Sequence, residues 1–136
     1  MRRPVSLACT LALLVSVLVG CTTVHNTQSF NGVKVDGGRE PVATVEIENS
    51  GWYFLTCLPV ASGDYTKANR AGCTWFKDTV RLENNLKVLG EEMKKAKVTE
   101  VANLTSHRTD EKYLVFILSR RAYHTSAVLL KPETKE

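Results

Sequence analysis

Few residue types in this chain can carry covalent, acid–base or metal chemistry, and their spacing narrows the field. The 136 residues hold four cysteines, at 9, 21, 57 and 73, and three histidines, at 25, 107 and 124. No Gly-x-Ser-x-Gly elbow, phosphate loop, dinucleotide glycine motif or His-Glu-x-x-His helix is present. A nucleophile–base reading would pair His124 with Ser126. The alternation of strand faces argues against that pair and makes His124 a half-exposed strand residue. Asp110 and Glu111 are adjacent acids of the kind that does acid–base work, but beside Lys112 they read as a solvated turn. No catalytic residue, cofactor site or metal site is expected.

Cys21 stands apart because of what precedes it. Arg2-Arg3 is basic, Val5 to Val19 is apolar, and Gly20 is a small residue directly before the thiol. That order is the order of a secretory signal. The last four residues, Leu18-Val19-Gly20-Cys21, resemble the lipobox of bacterial lipoproteins: an aliphatic residue, a permissive residue, a small residue, then cysteine. The resemblance covers the first 21 residues, and no family is assigned to the domain that follows. It implies cleavage between Gly20 and Cys21, thioether attachment of a diacylglycerol to the Cys21 sulfur, and acylation of the freed amine. Each buried methylene contributes roughly 0.8 kcal/mol, and two or more chains hold a protein on a bilayer stably. An ordinary cleaved signal would want a small residue at the third place before the cut, where Leu18 sits. A spanning helix needs about 20 apolar residues, more than this run supplies. Thr22 is not an acid, so an inner-membrane retention signal of the Asp type is absent. The resemblance therefore places the protein in the bacterial envelope. In a host with two membranes, that is the periplasmic face of the outer one.

Composition sets further bounds. Removing residues 1–20 leaves 116 residues, the size of one domain with a real core. Net charge falls from +4 to +2 because Arg2 and Arg3 leave with the signal. A nucleic-acid partner would want a basic stripe or a strong excess, and neither is present. In an oxidising compartment Cys57 and Cys73 are expected to form a disulfide. Its loop of 16 residues would stabilise the fold by about 3 kcal/mol. The competing reading is a pair of buried free thiols. A zinc site would need paired short spacings that these two lack.

The elements that must position these residues follow from pattern. Residues 21–41 are polar and read as a lipidated tether, with Val33-Lys34-Val35 a short edge-strand candidate. Residues 42–131 read as the domain and 132–136 as a solvated tail. Val42 to Glu48 alternates as a half-buried strand, and Asn49-Ser50-Gly51 is a turn signal. Trp52 to Leu58 is a second strand, buried on both faces. Ala61 to Cys73 is a surface loop. Leu82, Leu86, Leu89, Met93 and Ala96 form one apolar helix face, capped by Asp78 or Thr79. Glu83–Lys87 and Glu91–Lys95 are i,i+4 pairs. Val98 to Leu104 is a strand, Thr105 to Lys112 a polar turn, Tyr113 to Leu118 a central strand, and Ala122 to Leu130 the last strand. The order ββαβββ gives an α+β fold: a mainly antiparallel sheet of about five strands with one amphipathic helix on a face.

The segment from Ala61 to Phe76 is the strongest candidate for recognition. It holds Tyr65, Lys67, Arg70, Trp75 and Phe76, types enriched at binding hot spots. In the competing reading Trp75 and Phe76 cover the sheet edge where the helix begins. The expected function is that of a membrane-anchored, non-enzymatic envelope lipoprotein with a binding or structural role. It would hold the membrane through Cys21 and an envelope protein partner through Tyr65, Arg70 and Trp75. The alternative is an envelope enzyme or small-ligand receptor that uses the 61–76 loop and the aromatic strand Trp52–Phe54.

Overall fold

The computed structural model describes residues 20–28, 39–70, 72–114 and 117–132. Six strands and one helix follow in the order β1 (Thr22–Thr27), β2 (Pro41–Phe54), β3 (Leu58–Gly63), β4 (Cys73–Trp75), α1 (Leu82–Ala96), β5 (Glu100–Tyr113) and β6 (Leu118–Leu130). A single 3-10 turn, Tyr65–Lys67, lies between β3 and β4. The sheet order is β4-β3-β2-β6-β5, with β1 also paired to β2, and every pairing is antiparallel. The α+β class and the mainly antiparallel sheet stand as expected. The order does not: it is ββββαββ, with the helix directly before the last two strands.

The alternation of Ala43, Val45 and Ile47 buries one face of β2, and Ala127 and Leu129 meet them from β6. Val88 and Leu89 of α1 close the core from above, with Val24 of β1 and Val98 at its rim. Each fully buried Val, Leu or Ile here contributes about 1.5–3 kcal/mol. The helix face is turned from the expected one. Asn84, Asn85, Val88 and Leu89 are buried, whereas Leu82 and Leu86 are 37% and 41% exposed. Asn85 explains the rotation: its amide nitrogen lies 3.0 Å from the Tyr123 carbonyl and 3.1 Å from Thr125 Oγ1, so a polar side chain reaches the sheet through the helix interface. The helix starts after extended Arg81 without a side-chain cap. Asp78 accepts hydrogen bonds from the Tyr53 hydroxyl and the Val80 N–H, and Thr79 holds the Ser62–Gly63 corner. The last turn closes at left-handed Lys97. Glu83 pairs with Lys87 at 2.7 Å as expected, but Lys95 pairs with Glu92 and not with Glu91.

Two polar segments expected as turns lie within strands, and one apolar run expected as a strand lies at a turn. Asn49-Ser50-Gly51 lies inside the continuous 14-residue β2. Asn49 is fully buried there, accepting from Thr22 Oγ1 and donating to the Thr79 carbonyl at 2.7 Å. The real β2–β3 turn is Leu55-Thr56-Cys57, with Leu55 and Thr56 at φ +48° and +62°. Thr105 to Lys112 lies within β5, an edge strand exposed on both faces, where no apolar alternation is required. The apolar run Tyr113–Leu118 is no central strand. Tyr113 ends β5, Leu118 starts β6, and Ile117 N–H donates to the Leu114 carbonyl across the turn. The expected loop 61–73 is shorter at both ends: residues 61–63 belong to β3, Cys73 opens β4, and the connection between them carries the 3-10 turn Tyr65–Lys67.

The expected tether contains β1. Thr22 to Thr27 pairs with Asn49 to Thr44, so the folded domain begins at residue 22, not 42. Its outer edge is sealed by one side chain. Asn69 accepts from the Val24 N–H at 2.6 Å and donates to the Val24 carbonyl at 2.9 Å, in the manner of a neighbouring strand. The signal segment before Gly20, the strand candidate Val33–Val35 and the end of the tail lie outside the described residues.

Candidate functional site

The helix covers one face of the sheet. Among the described residues no element covers the other, and its side chains follow from strand register. Alternation along β2 puts Thr44, Glu46, Glu48, Ser50, Trp52 and Phe54 on that face. Across β6 and β5 their rows continue: Glu46–Ser126–Thr105, Glu48–His124–His107, Ser50–Ala122–Thr109, Trp52–Arg120–Glu111 and Phe54–Leu118–Tyr113. His25 of β1 stands opposite Glu46. All three histidines therefore come together with two glutamates, around an open depression of about 260 Å³. The His107 and His124 rings stack at 4.8 Å with 12° between planes.

The sequence reading missed this convergence, because it placed His25 in a tether and His107 in a turn. A period-2 reading of Thr105, His107, Thr109 and Glu111 is the one signal that could have exposed it, and the cross-strand register is not legible from one chain. His124 and Ser126 were expected on opposite faces. They share the uncovered one, as residues two apart on a strand must. They still form no catalytic pair: the Ser126 hydroxyl is 2.8 Å from Thr105 Oγ1, and His124 Nε2 is 3.4 Å from Thr109 Oγ1. Among the described residues no three His, Cys, Asp or Glu side chains stand in an arrangement that could hold a metal ion.

Further along this face the chemistry changes. The Trp52 and Tyr113 rings lie 5.3 Å apart. Arg120 bonds Glu48 at 2.7 Å and approaches Glu111 at 3.8 Å, and the Tyr113 hydroxyl donates to Glu111 at 2.7 Å. On the opposite side of the same strands the Arg121 guanidinium lies 4.2 Å from the Tyr53 ring centre and bonds Asp110 at 3.0 Å. Arg108 also holds Asp110, at 2.7 Å. Partial burial works to raise the Asp110 carboxyl, and hydrogen bonds from Arg108 and Arg121 outweigh it, so the carboxyl stays below the usual range. Burial first, then the bond to Asp78, pushes the Tyr53 phenol well above its ordinary value, against the opposing charge of Arg121.

The cysteines divide by place. Cys21 is exposed, and its backbone is pinned to β2: Ser50 N–H donates to the Cys21 carbonyl at 2.9 Å. Alternation from buried Thr22 and Val24 projects its thiol to the uncovered face. Gly20 is buried beside it, where a Cβ would stand 2.6 Å from Ser62 backbone. Cys57 and Cys73 are free thiols. The first lies in the β2–β3 turn and the second pairs opposite Gly63, at the far end of β3. A strand of that length holds them roughly 20 Å apart, far beyond the 7 Å limit for a disulfide. Cys57, expected to be buried, is exposed.

Tyr65, Arg70 and Trp75 do not assemble into one patch. Tyr65 packs against the helix side of the core, with Lys87 Nζ 5.7 Å from its ring. Arg70 is exposed near the Asn69 corner. Trp75 pairs opposite Ala61 at the end of β4 and is 48% exposed. No hydrogen bond, ion pair or ring contact joins the three.

Comparison with known protein families, with characterised proteins and with solved structures finds no match to this chain.

Proposed function

We propose that the protein is a membrane-anchored lipoprotein of the bacterial envelope, acylated at Cys21 after loss of residues 1–20, whose domain binds rather than catalyses. The observation that carries this reading is the place of Cys21. It is exposed, it carries the lipobox-like sequence before it, and it leads directly into β1 with its backbone held to Ser50. An acyl group there has room to leave the domain without disturbing the sheet. The non-enzymatic reading draws on the uncovered face, where the hydroxyls of Thr105 and Ser126 bond each other and the acids near Trp52 are occupied by Arg120 and Tyr113. Binding to an envelope partner uses that face, because Tyr65, Arg70 and Trp75 of the 61–76 segment stand apart from one another. The outer membrane is the expected site in a two-membrane host, since Thr22 offers no acidic retention signal.

A second reading, a receptor for a small polar ligand, rests on the depression at His25, Glu46, Glu48, His107 and His124. It moves the ligand away from the 61–76 segment, where the sequence put it. The anchor is tested by fractionation. Native protein should pellet with membranes and resist high salt, while a Cys21→Ser chain should be soluble or remain as uncleaved precursor. A Cys21→Ser chain that is processed and membrane-bound like the native one would overturn the reading.

A further inference from the structure

One end of the sheet displays apolar side chains that the fold does not use. Phe54 is 43% exposed, Leu55 52%, Leu58 55%, Phe76 80%, Leu114 71% and Ile117 49%. They sit where β2 turns into β3, where β5 turns into β6, and just after β4. The two hairpin tips are tied together, since Leu55 N–H donates to the Ile117 carbonyl at 2.8 Å. Phe76 N–H donates to the Val60 carbonyl at 3.1 Å, which fixes the most exposed member beside them. Leu55, Phe76 and Leu114 hold φ of +48°, +54° and +48°. Hairpin turns normally give such angles to Asn, Asp or Gly, and a side-chain-bearing residue there costs of order 1 kcal/mol. Folding alone would favour polar residues or glycine at these positions.

From this we infer that the apolar end docks on the lipid surface that carries the Cys21 anchor, an inference that rests on the lipoprotein reading above. Chain direction supports it. β1 runs antiparallel to β2 with Thr22 opposite Asn49, so the chain enters from the end at which β2 turns. Cys21, beside Ser50, stands roughly 14 Å along β2 from Phe54. With no linker between Cys21 and β1, acyl chains seated in a bilayer hold this end close to lipid. Behind the apolar tip, aromatic and charged side chains stand together. Tyr113 shares the tip row with Phe54 and Leu118, Lys112 stands in the next row, and Trp52 shares the third with Arg120 and Glu111. Arg121 and Asp110 follow, and Glu48 reaches Arg120 at 2.7 Å. An apolar edge with aromatic and charged side chains directly behind it suits an interface with lipid headgroups.

The test uses mature protein reconstituted into phosphatidylethanolamine–phosphatidylglycerol vesicles with brominated acyl chains. Flotation and intact mass report the anchor, and tryptophan emission reports docking. The native protein should lose roughly half its emission to bromine quenching, as expected for indoles at the headgroup boundary. Phe76→Asp with Leu114→Asp should abolish the quenching while the protein still floats. A lipidated, floating protein with unquenched tryptophan overturns the docking and leaves the anchor intact. Quenching that survives both substitutions also overturns it, as does concentration-dependent self-association through these residues without quenching. Protein that carries no acyl mass yet is quenched supports docking and removes the anchor reading. Protein that is neither acylated nor quenched overturns both.

Discussion

Asn69 is the side chain on which the edge of β1 depends. Its amide bonds both backbone groups of Val24, and its own N–H donates to the Thr22 carbonyl. Asn69→Ala leaves two backbone groups unpaired and should cost about 2 kcal/mol, read as a lower urea midpoint at unchanged slope. Tyr53 makes a second residue-scale case. Its phenol is buried and bonded to Asp78 at 2.6 Å, and its pKa is raised above the ordinary 10.0. The folded state therefore favours the protonated form. The stabilisation is fully present below about pH 10 and is lost as pH rises further, by at most about 1.4 kcal/mol per pH unit. Tyr53→Phe should lower stability at pH 7 by about 1.5 kcal/mol and remove that alkaline loss, which pH-dependent unfolding will show. The thiols give a simpler readout. Alkylation of unreduced, denatured protein should label both Cys57 and Cys73; protection of the pair would contradict their separation along β3.

At the scale of elements, β1 and β3 meet closely at Gly63. A Cβ at Gly63 would stand 2.6 Å from the Cys21 carbonyl carbon and would also strike Thr22 Oγ1. The first obstacle is backbone and cannot rotate away. Gly63→Ala should push β1 from its place, so amide exchange at Val24 and Asn26 should accelerate while the β2–β6 ladder keeps its protection. Equal acceleration in both would mean that β1 is no separate unit. This joint also marks how far the sequence could be read. The strand around Val45, the existence of the helix and the last strand were legible because each buries one face against the core, and burial imposes periodicity. The rest was not, because its residues answer to other demands. Asn49 and Gly51 look like a turn and are packing residues: one fills a buried polar network, and the other lies under Val80 and Ala61. The stretch Thr105–Lys112 is polar because an edge strand with two open faces buries little. The run around Leu114 is apolar at a hairpin tip, where pattern alone predicts a strand interior. The histidine–glutamate cluster was illegible for a related reason, since it depends on the register of β1, β2, β6 and β5 together.

At the scale of the whole molecule, one helix among the described residues shields one side of the six-stranded sheet, and no other described element covers the opposite side. Among the described residues no helix is long and apolar enough to cross a membrane; the attachment proposed above rests on Cys21 and on the apolar end of the sheet. The form proposed to begin at Cys21 would carry +2 in place of the +4 of the full chain, a near balance that suits a domain seated by lipid and not by electrostatic attraction alone. Intact-mass analysis of the protein extracted from membranes tests this most directly. The predicted mass is that of residues 21–136 plus a diacylglycerol, with a further acyl group where the amine is modified. A mass that retains residues 1–20, or that begins at Cys21 with an unmodified thiol, would contradict the account.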